Sequence, residues 1–314
     1  MTVSALALGT VAIGVDYGIA EPGGFGRPDE NDAVRLVREA LDRGVTLIDT
    51  APAYGESERI VGRAAGRDPR AIIATKVAPS HAAPSHAAPS HPAPSHLAPS
   101  HLGLQIRTSL ESSLRALNRD VLDIVQIHNA TRAMLDEGEV TDTLLDAQRN
   151  GLVRVIGASV YGEDAAMAVI ESGVFGVLQI ALNVLDQRMM QHVLPAATAA
   201  GIGIIVRSAF LKGALTPKAQ WLPDPLGPLR DAAARARDLL ADGRWDRLPE
   251  AAMRFCLSVP GVGSVLTGAR IVAELDEALA AEVAPPFDWS TLSRTEALAL
   301  TDDRLLNPSY WPVA

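Results

Sequence analysis

The sequence predicts an α/β fold, a (β/α)8 TIM barrel in a single domain, with a Pro/His-rich repeat insert after its third strand. Three observations predict it. Short apolar segments alternate with helix-patterned segments eight times along 314 residues, a length that one such barrel fills. The apolar segments are continuous and rich in Val and Ile, as strands covered on both faces are. Three of them run into ionisable residues of different kinds: Asp49 with Tyr54, Lys76, and His128. The carboxyl ends of barrel strands are where this fold places an active site.

Taken in order, a strand over 5–8 precedes a helix over 31–43. Val45-Thr46-Leu47-Ile48 begins the second strand, which ends at Asp49 and leads to a helix over 57–65. Ala71-Ile72-Ile73-Ala74-Thr75 forms the third, ending at Lys76; beyond the insert a helix covers 105–117. The fourth strand, 121–128, ends at His128 and precedes a helix over 141–150, and the fifth, 153–158, precedes one over 163–172. Strands over 177–181 and 203–207 flank a helix over 189–200. The last strand, 264–267, lies between helices over 249–258 and 272–281. Aromatic residues make up only 4% of the chain, so the core has to be built from Ala, Leu, Val and Ile.

The insert, 77–101, is the one low-complexity segment of a barrel otherwise spanning 1–314. Val77-Ala78-Pro79-Ser80-His81 recurs with small changes through His86, His91, His96 and His101. Proline at this density disfavours a helix and a central strand, so a mobile, partly polyproline-like loop is expected. Its histidines titrate near neutral pH and are possible metal ligands. Ligands on a floppy repeat lack the fixed geometry and outer hydrogen bonds of a metal site, and no metal is expected. The loop leaves the strand that carries Lys76, which allows it to hang over the pocket as a lid.

Composition bounds the function. With 28 basic and 37 acidic residues the formal charge is -9, and no basic cluster of the kind a phosphate backbone requires is present. Nucleic acid is therefore not an expected partner. No apolar stretch reaches the roughly 18 to 20 residues of a membrane span, and the first residues lack a basic leader and cleavage site. A cytoplasmic protein is expected. The lone Cys256 fits a reducing compartment, and its place in an apolar helical pattern assigns it to packing. Nothing in the sequence sets an oligomeric state.

Asp49, Tyr54, Lys76 and His128 come from three successive strands spaced roughly 5 Å apart, so their tips can converge. The combination has a chemical logic. An ammonium beside a tyrosine favours the phenolate and lowers its proton affinity, which makes Tyr54 an acid or base usable near neutrality, with Lys76 supplying the charge. A buried lysine needs a carboxylate to stay protonated, and Asp49 is that carboxylate. His128 can orient a carbonyl oxygen. Each residue alone has a structural explanation; four together at strand ends point to catalysis.

At these residues the sequence resembles the aldo-keto reductase superfamily along nearly its whole length. The stretch Gly44 to Glu58, with Asp49-Thr50-Ala51-Pro52-Ala53-Tyr54-Gly55 at its centre, is similar to that family's most diagnostic signature. Ala74-Thr75-Lys76 and Val125-Gln126-Ile127-His128 are similar to its lysine and histidine motifs. The resemblance implies hydride transfer between a nicotinamide cofactor and an aldehyde, ketone or sugar carbonyl, or the corresponding alcohol or lactol, with Tyr54 donating the proton on reduction. Leu8-Gly9-Thr10 and Asp16-Tyr17-Gly18 resemble the first-strand loop of bacterial members, and place Gly9 and Thr10, with Asp49, at the cofactor. The resemblance also implies that Ser159 and Gln179 hold the nicotinamide carboxamide and that Ser208, Leu211 and Gly213 follow the pyrophosphate. Gly268, Arg270, Glu274 and Glu277 would surround the adenosine end.

Three positions depart from the family pattern: Val160 stands after Ser159 where Asn is common, Arg207 replaces an aromatic that stacks on the nicotinamide, and Ala278 replaces an Asn near the adenine. Arg207 could bind an anionic substrate group, stack through its planar guanidinium, or pair with an acidic neighbour. Arg270 favours NADP, whose ribose phosphate wants a cation, whereas Glu274 opposes it and leaves NAD open; NADPH is the expected cofactor. Long loops, including 209–229 with Trp221 and the tail Asn307-Pro308-Ser309-Tyr310-Trp311, are expected to set substrate choice or to pack as plugs. Two other classes fit the same residues: a nicotinamide-binding regulatory or scaffold barrel, and a redox-neutral biosynthetic enzyme.

Overall fold

In the computed structural model, which describes residues 1–24, 26–78 and 99–312, eight parallel strands close on themselves in chain order. They are β1 (Leu6–Gly9), β2 (Leu47–Asp49), β3 (Ile72–Val77), β4 (Leu122–Ala130), β5 (Val153–Val160), β6 (Val177–Ala181), β7 (Gly203–Arg207) and β8 (Ser264–Thr267). The expected (β/α)8 barrel is what forms. Repeat residues 79–98 lie outside the described residues.

Element ends differ from the expectation where side chains replace backbone pairing or a bulge extends it. β2 starts at Leu47 because Thr46 is held by hydroxyls: its amide donates to Ser4 Oγ, and its own Oγ1 accepts from the Ser4 amide, both at 2.9 Å. β4 continues past His128 through a register irregularity between Ile127 and Ala130, with Asn129 at φ 56°. A bulge at a strand end re-aims the neighbouring side chain, here that of His128.

The helices lie outside the strands and cover them with amphipathic faces. Glu30–Asp42 begins at Asp29, whose side chain accepts from the Asp32 amide, and buries Ala33, Val34, Leu36, Val37, Ala40 and Leu41. Ser57–Ala65 crosses Pro99–Ala116 so closely at Gly62 that a Cβ there would lie 2.1 Å from the Ala116 carbonyl. The second of these starts six residues before the expected boundary, inside the last repeat unit; proline's fixed φ suits a first helical turn. Glu139–Arg149, Glu163–Ser172, Val193–Ala199, Leu248–Ser258 and Val272–Val283 occupy the remaining expected places. Gly227–Leu240 and Trp289–Thr295 are additional. Gly227–Leu240 buries Leu229, Ala232, Ala233 and Ala236, an alanine-built face that is weak as an apolar signal. Cys256 is fully buried and donates to the Leu182 carbonyl at 3.4 Å, and burial pushes its thiol well above its usual value.

Among the described residues two apolar cores result. The larger fills the layer between strands and helices. The smaller lies inside the barrel, where Ala7, Leu47, Ala74, Ile124 and Ile205 meet Ile72, Val155, Val177 and Leu266. Side chains on a strand alternate between faces, so residues two positions further along share the same inward face. Those residues are Gly9, Asp49, Lys76, Gln126, Gly157, Gln179 and Arg207. Directly above an apolar layer, the barrel interior becomes polar and opens to a cleft.

Candidate active site

Lys76 is 1% exposed and Asp49 2%, and their side chains meet at 2.5 Å in a depth where neither charge could remain alone. Lys76 Nζ also donates to the Thr50 carbonyl at 3.0 Å. The second Asp49 oxygen accepts from Gln126 Nε2 at 3.1 Å and from Gln179 Nε2 at 2.8 Å. Gln179 Oε1 in turn accepts from Ser159 Oγ at 3.0 Å. Five residues from β2 to β6 therefore share one hydrogen-bonded layer. Gly157 makes room for it, since a Cβ there would sit 3.3 Å from Gln126 Cγ and 2.7 Å from the Val177 carbonyl.

Tyr54 is carried just beyond β2 by the short 3-10 turn Pro52–Tyr54. Its ring meets His128 edge-on, with centroids 5.8 Å apart and planes at 88°, and Lys76 Nζ lies 5.1 Å from its ring centroid. The loop is pinned from below. Thr10 Oγ1 donates to the Asp49 carbonyl at 2.8 Å, and the Ser57 hydroxyl bridges Thr10 Oγ1 at 2.6 Å and Thr50 Oγ1 at 2.8 Å. Gly14 presses on the same loop: a Cβ on it would fall 1.9 Å from the Tyr54 carbonyl, and one on Gly55, at φ 57°, would fall 2.8 Å from the Gly14 carbonyl.

Burial dominates the electrostatics of the site. Burial pushes the Tyr54 phenol above its ordinary value, the Asp49 charge pushes further in the same direction, and Arg207 opposes them. The Lys76 ammonium is shared between Asp49 and the Thr50 carbonyl. Burial pulls the Lys76 ammonium down, and Asp49 restores part of the loss by its charge and hydrogen bond. Tyr54 is thus a phenol that keeps its proton at neutral pH, suited to act as an acid. Glu58, buried behind this cluster, accepts from Thr75 Oγ1 at 2.6 Å, and its carboxyl is raised by burial.

A cleft of about 420 Å³ opens over the layer, within the usual range of small-molecule sites, about 300 to 1,000 Å³. Its wall contains Gly9, Thr10, Asp49, Tyr54, His128, Ser159, Gln179, Arg207, Ser208, Gly213, Gly268, Arg270, Glu274 and Glu277. Lys76 lies beneath the wall. Leu211 is fully buried in the core; what it contributes is a turn, with Ser208, Leu211 and Lys212 all at positive φ (63°, 43° and 56°). Arg207 has no acidic partner among the described residues. Its guanidinium stacks on Tyr161 at 3.8 Å and donates to the Val160 carbonyl at 2.8 Å and Ser208 Oγ at 3.2 Å. Arg270 and Glu274 pair with each other, the Arg270 amide also donating to the Glu274 carboxylate at 2.7 Å. Trp311 is buried and donates to the Leu305 carbonyl at 3.1 Å, so it is a plug, whereas Trp221 and Tyr310 are exposed.

Gln126, Tyr161, Lys212 and Glu58 belong to this site and escape the sequence reading. Strand alternation would have found Gln126, two residues before His128; Tyr161, immediately after β5, would follow from inspecting every strand end. Among the described residues no group of His, Cys, Asp and Glu could hold a metal, and no helix is long and apolar enough to cross a membrane.

Fold and site together define a (β/α)8 barrel with a protonated phenol over a buried ion pair. The profile of the Aldo/keto reductase family matches residues 5–299, and the chain belongs to that family, whose members carry out nicotinamide-dependent reduction of carbonyl or sugar substrates. Among curated proteins it is similar to aldo-keto reductase YhdN of Bacillus subtilis (strain 168), 29% identical over 87% of this chain and 83% of the relative. It is also similar to L-galactose dehydrogenase of Arabidopsis thaliana, 27% identical over 91% of this chain and 89% of the relative. Among solved structures it is similar to the holo form of aldo-keto reductase AKR11C1 from Bacillus halodurans, with TM-score 0.76, 25% identity, and 95% and 93% of the two chains covered.

Proposed function

We propose that the protein reduces an aldehyde, ketone or sugar carbonyl with NADPH, Tyr54 delivering the proton to the carbonyl oxygen. The observation that carries this reading is the Tyr54 phenol, raised by burial and placed on the cleft wall beside His128 and above the Asp49–Lys76 pair. Bound nicotinamide cofactor would supply the hydride to the carbonyl carbon. The residues present fit that group: Ser159 and Gln179 reach the wall with a polar pair suited to a carboxamide, and Gly268 has open space where a side chain would stand. His128 polarises and orients the carbonyl oxygen, while Lys76, Asp49, Gln126 and Gln179 hold the geometry. The buried, interlocked layer excludes water from the proton donor's lower face.

NADPH is preferred over NADH on the strength of Arg270, a cation suited to the ribose phosphate. The sugar-related name of the Arabidopsis relative supports a sugar or polyol-derived carbonyl within the substrate range. A reducing, cytoplasmic setting is supported by the single, buried cysteine.

The experiment is Tyr54→Phe with two readouts. Carbonyl reduction is expected to fall by about 10²–10⁴-fold, the usual contribution of a positioned general acid. Fluorescence titration is expected to show NADPH still bound, since only a hydroxyl is removed. Unchanged turnover in the variant refutes the role of Tyr54.

A further inference from the structure

The cations lining the cleft divide into two kinds. Lys218 pairs with Glu21, and Arg270 with Glu274. Arg207 and Lys212 have aromatic faces instead of carboxylates. The Arg207 guanidinium lies over Tyr161 at 3.8 Å, and the Lys212 ammonium faces Tyr17 at 5.9 Å and Trp311 at 5.8 Å. Among the described residues neither meets a carboxylate at ion-pair distance. Both are half-buried, and burial pulls the Lys212 ammonium below its usual value with nothing opposing it. A positive charge withdrawn from water without a counter-ion is costly, and an aromatic face offsets only part of that cost.

The two cations sit by the reacting centre. The Arg207 charge acts on the phenols of both Tyr54 and Tyr17, and Lys212 leans on the same Tyr17. Arg207 is fixed by two hydrogen bonds and a stack, which aims the guanidinium as a rigid fork. Of the wall's carboxylates, Glu250, Glu274 and Glu277 are carried by the helices on either side of β8, while Glu21 pairs with Lys218 and Asp49 with Lys76.

We propose that the carbonyl substrate carries an anionic group, a carboxylate or a phosphate, and that Arg207 and Lys212 are its counter-ions. This rests on the carbonyl-reductase reading and deepens it: the substrate class narrows to oxo acids or phosphorylated aldehydes and sugars. The cofactor's own phosphates are the competing source of negative charge, so the test separates the two.

Wild type, Arg207→Gln and Lys212→Gln are compared in two assays. In the first, succinate and inorganic phosphate are titrated calorimetrically into the protein saturated with NADPH, which needs no turnover. Saturable binding of at least one probe is expected, weakened at least about tenfold in each variant, as loss of a charged hydrogen bond predicts. In the second, kcat/KM is measured for succinic semialdehyde against butanal and for glycolaldehyde phosphate against glycolaldehyde. The charged-to-neutral ratio is expected to fall by a similar factor, about tenfold, in each variant. Absence of saturable binding overturns the proposal, as does a ratio that neither substitution lowers. A loss confined to NADPH affinity, with the probes bound as before, assigns the cations to the cofactor and also overturns it. If the probes bind but no carbonyl is turned over, the anion site stands and the reductase reading fails.

Discussion

The β2–β4 side of the barrel mouth and the β7–β8 side hold polar groups against the same apolar interior by opposite means. On the first side every charge is answered from within: Lys76 by Asp49, and Asp49 by Gln126 and Gln179. The side chains sit on strands and are almost wholly buried. On the second side Arg207 ends β7 and rests on an aromatic ring, and the residues beyond it follow a backbone that turns through positive φ at Ser208, Leu211 and Lys212. One side is finished before any ligand arrives. The other leaves its cations facing an open cleft.

Lys76→Met tests the finished side hardest, because it strands the Asp49 carboxylate in a buried layer. A loss of about 3–5 kcal/mol in urea unfolding is expected; a loss below about 1 kcal/mol would show that Gln126 and Gln179 satisfy Asp49 unaided. Glu274→Gln acts on the β8 side. Freed from its carboxylate, Arg270 should improve NADPH affinity over NADH by roughly tenfold, read as the ratio of dissociation constants, and an unchanged ratio would place the ribose phosphate elsewhere. Ser208→Gly removes left-handed strain without removing a buried contact of size. Stability should hold or rise by up to about 1 kcal/mol, and a marked loss would erase the contrast between the two sides.

Glu58→Gln gives the smallest effect and a pH signature. Burial favours the protonated carboxyl in the folded protein, so its stabilising share is complete below the unfolded carboxylate value and is lost as pH rises through the raised one. Glutamine cannot ionise. The melting temperature of the variant relative to the parent should therefore climb from acid to neutral pH, and a flat difference would mean that Glu58 is ionised at no cost beside Lys76.

How much of this was legible in the sequence follows the same divide. Asp49, Lys76 and His128 end apolar runs, so strand periodicity alone brings them together, and Tyr54 follows within five residues. Gln126 has the same inward register but is neutral, and a search for ionisable strand ends passes over it. The β7 side carries no such period: nothing in Ser208-Ala209-Phe210-Leu211-Lys212 announces left-handed backbone at three non-glycine residues, or that the Leu211 side chain is fully buried. The pairing of Arg270 with Glu274 is a helical-turn spacing that sequence shows, but whether the pair forms is decided by packing. The Ala-rich helix Gly227–Leu240 was missed because methyl groups alone make a faint apolar stripe.

The close approach of Gly14 and Gly55 fixes where the Tyr54 loop sits. With carbonyl oxygens and bare α-carbons touching across the gap, the first and second connecting segments are keyed together like adjoining teeth. A side chain added at either glycine would wedge the two segments apart and displace the Tyr54 loop from its seat.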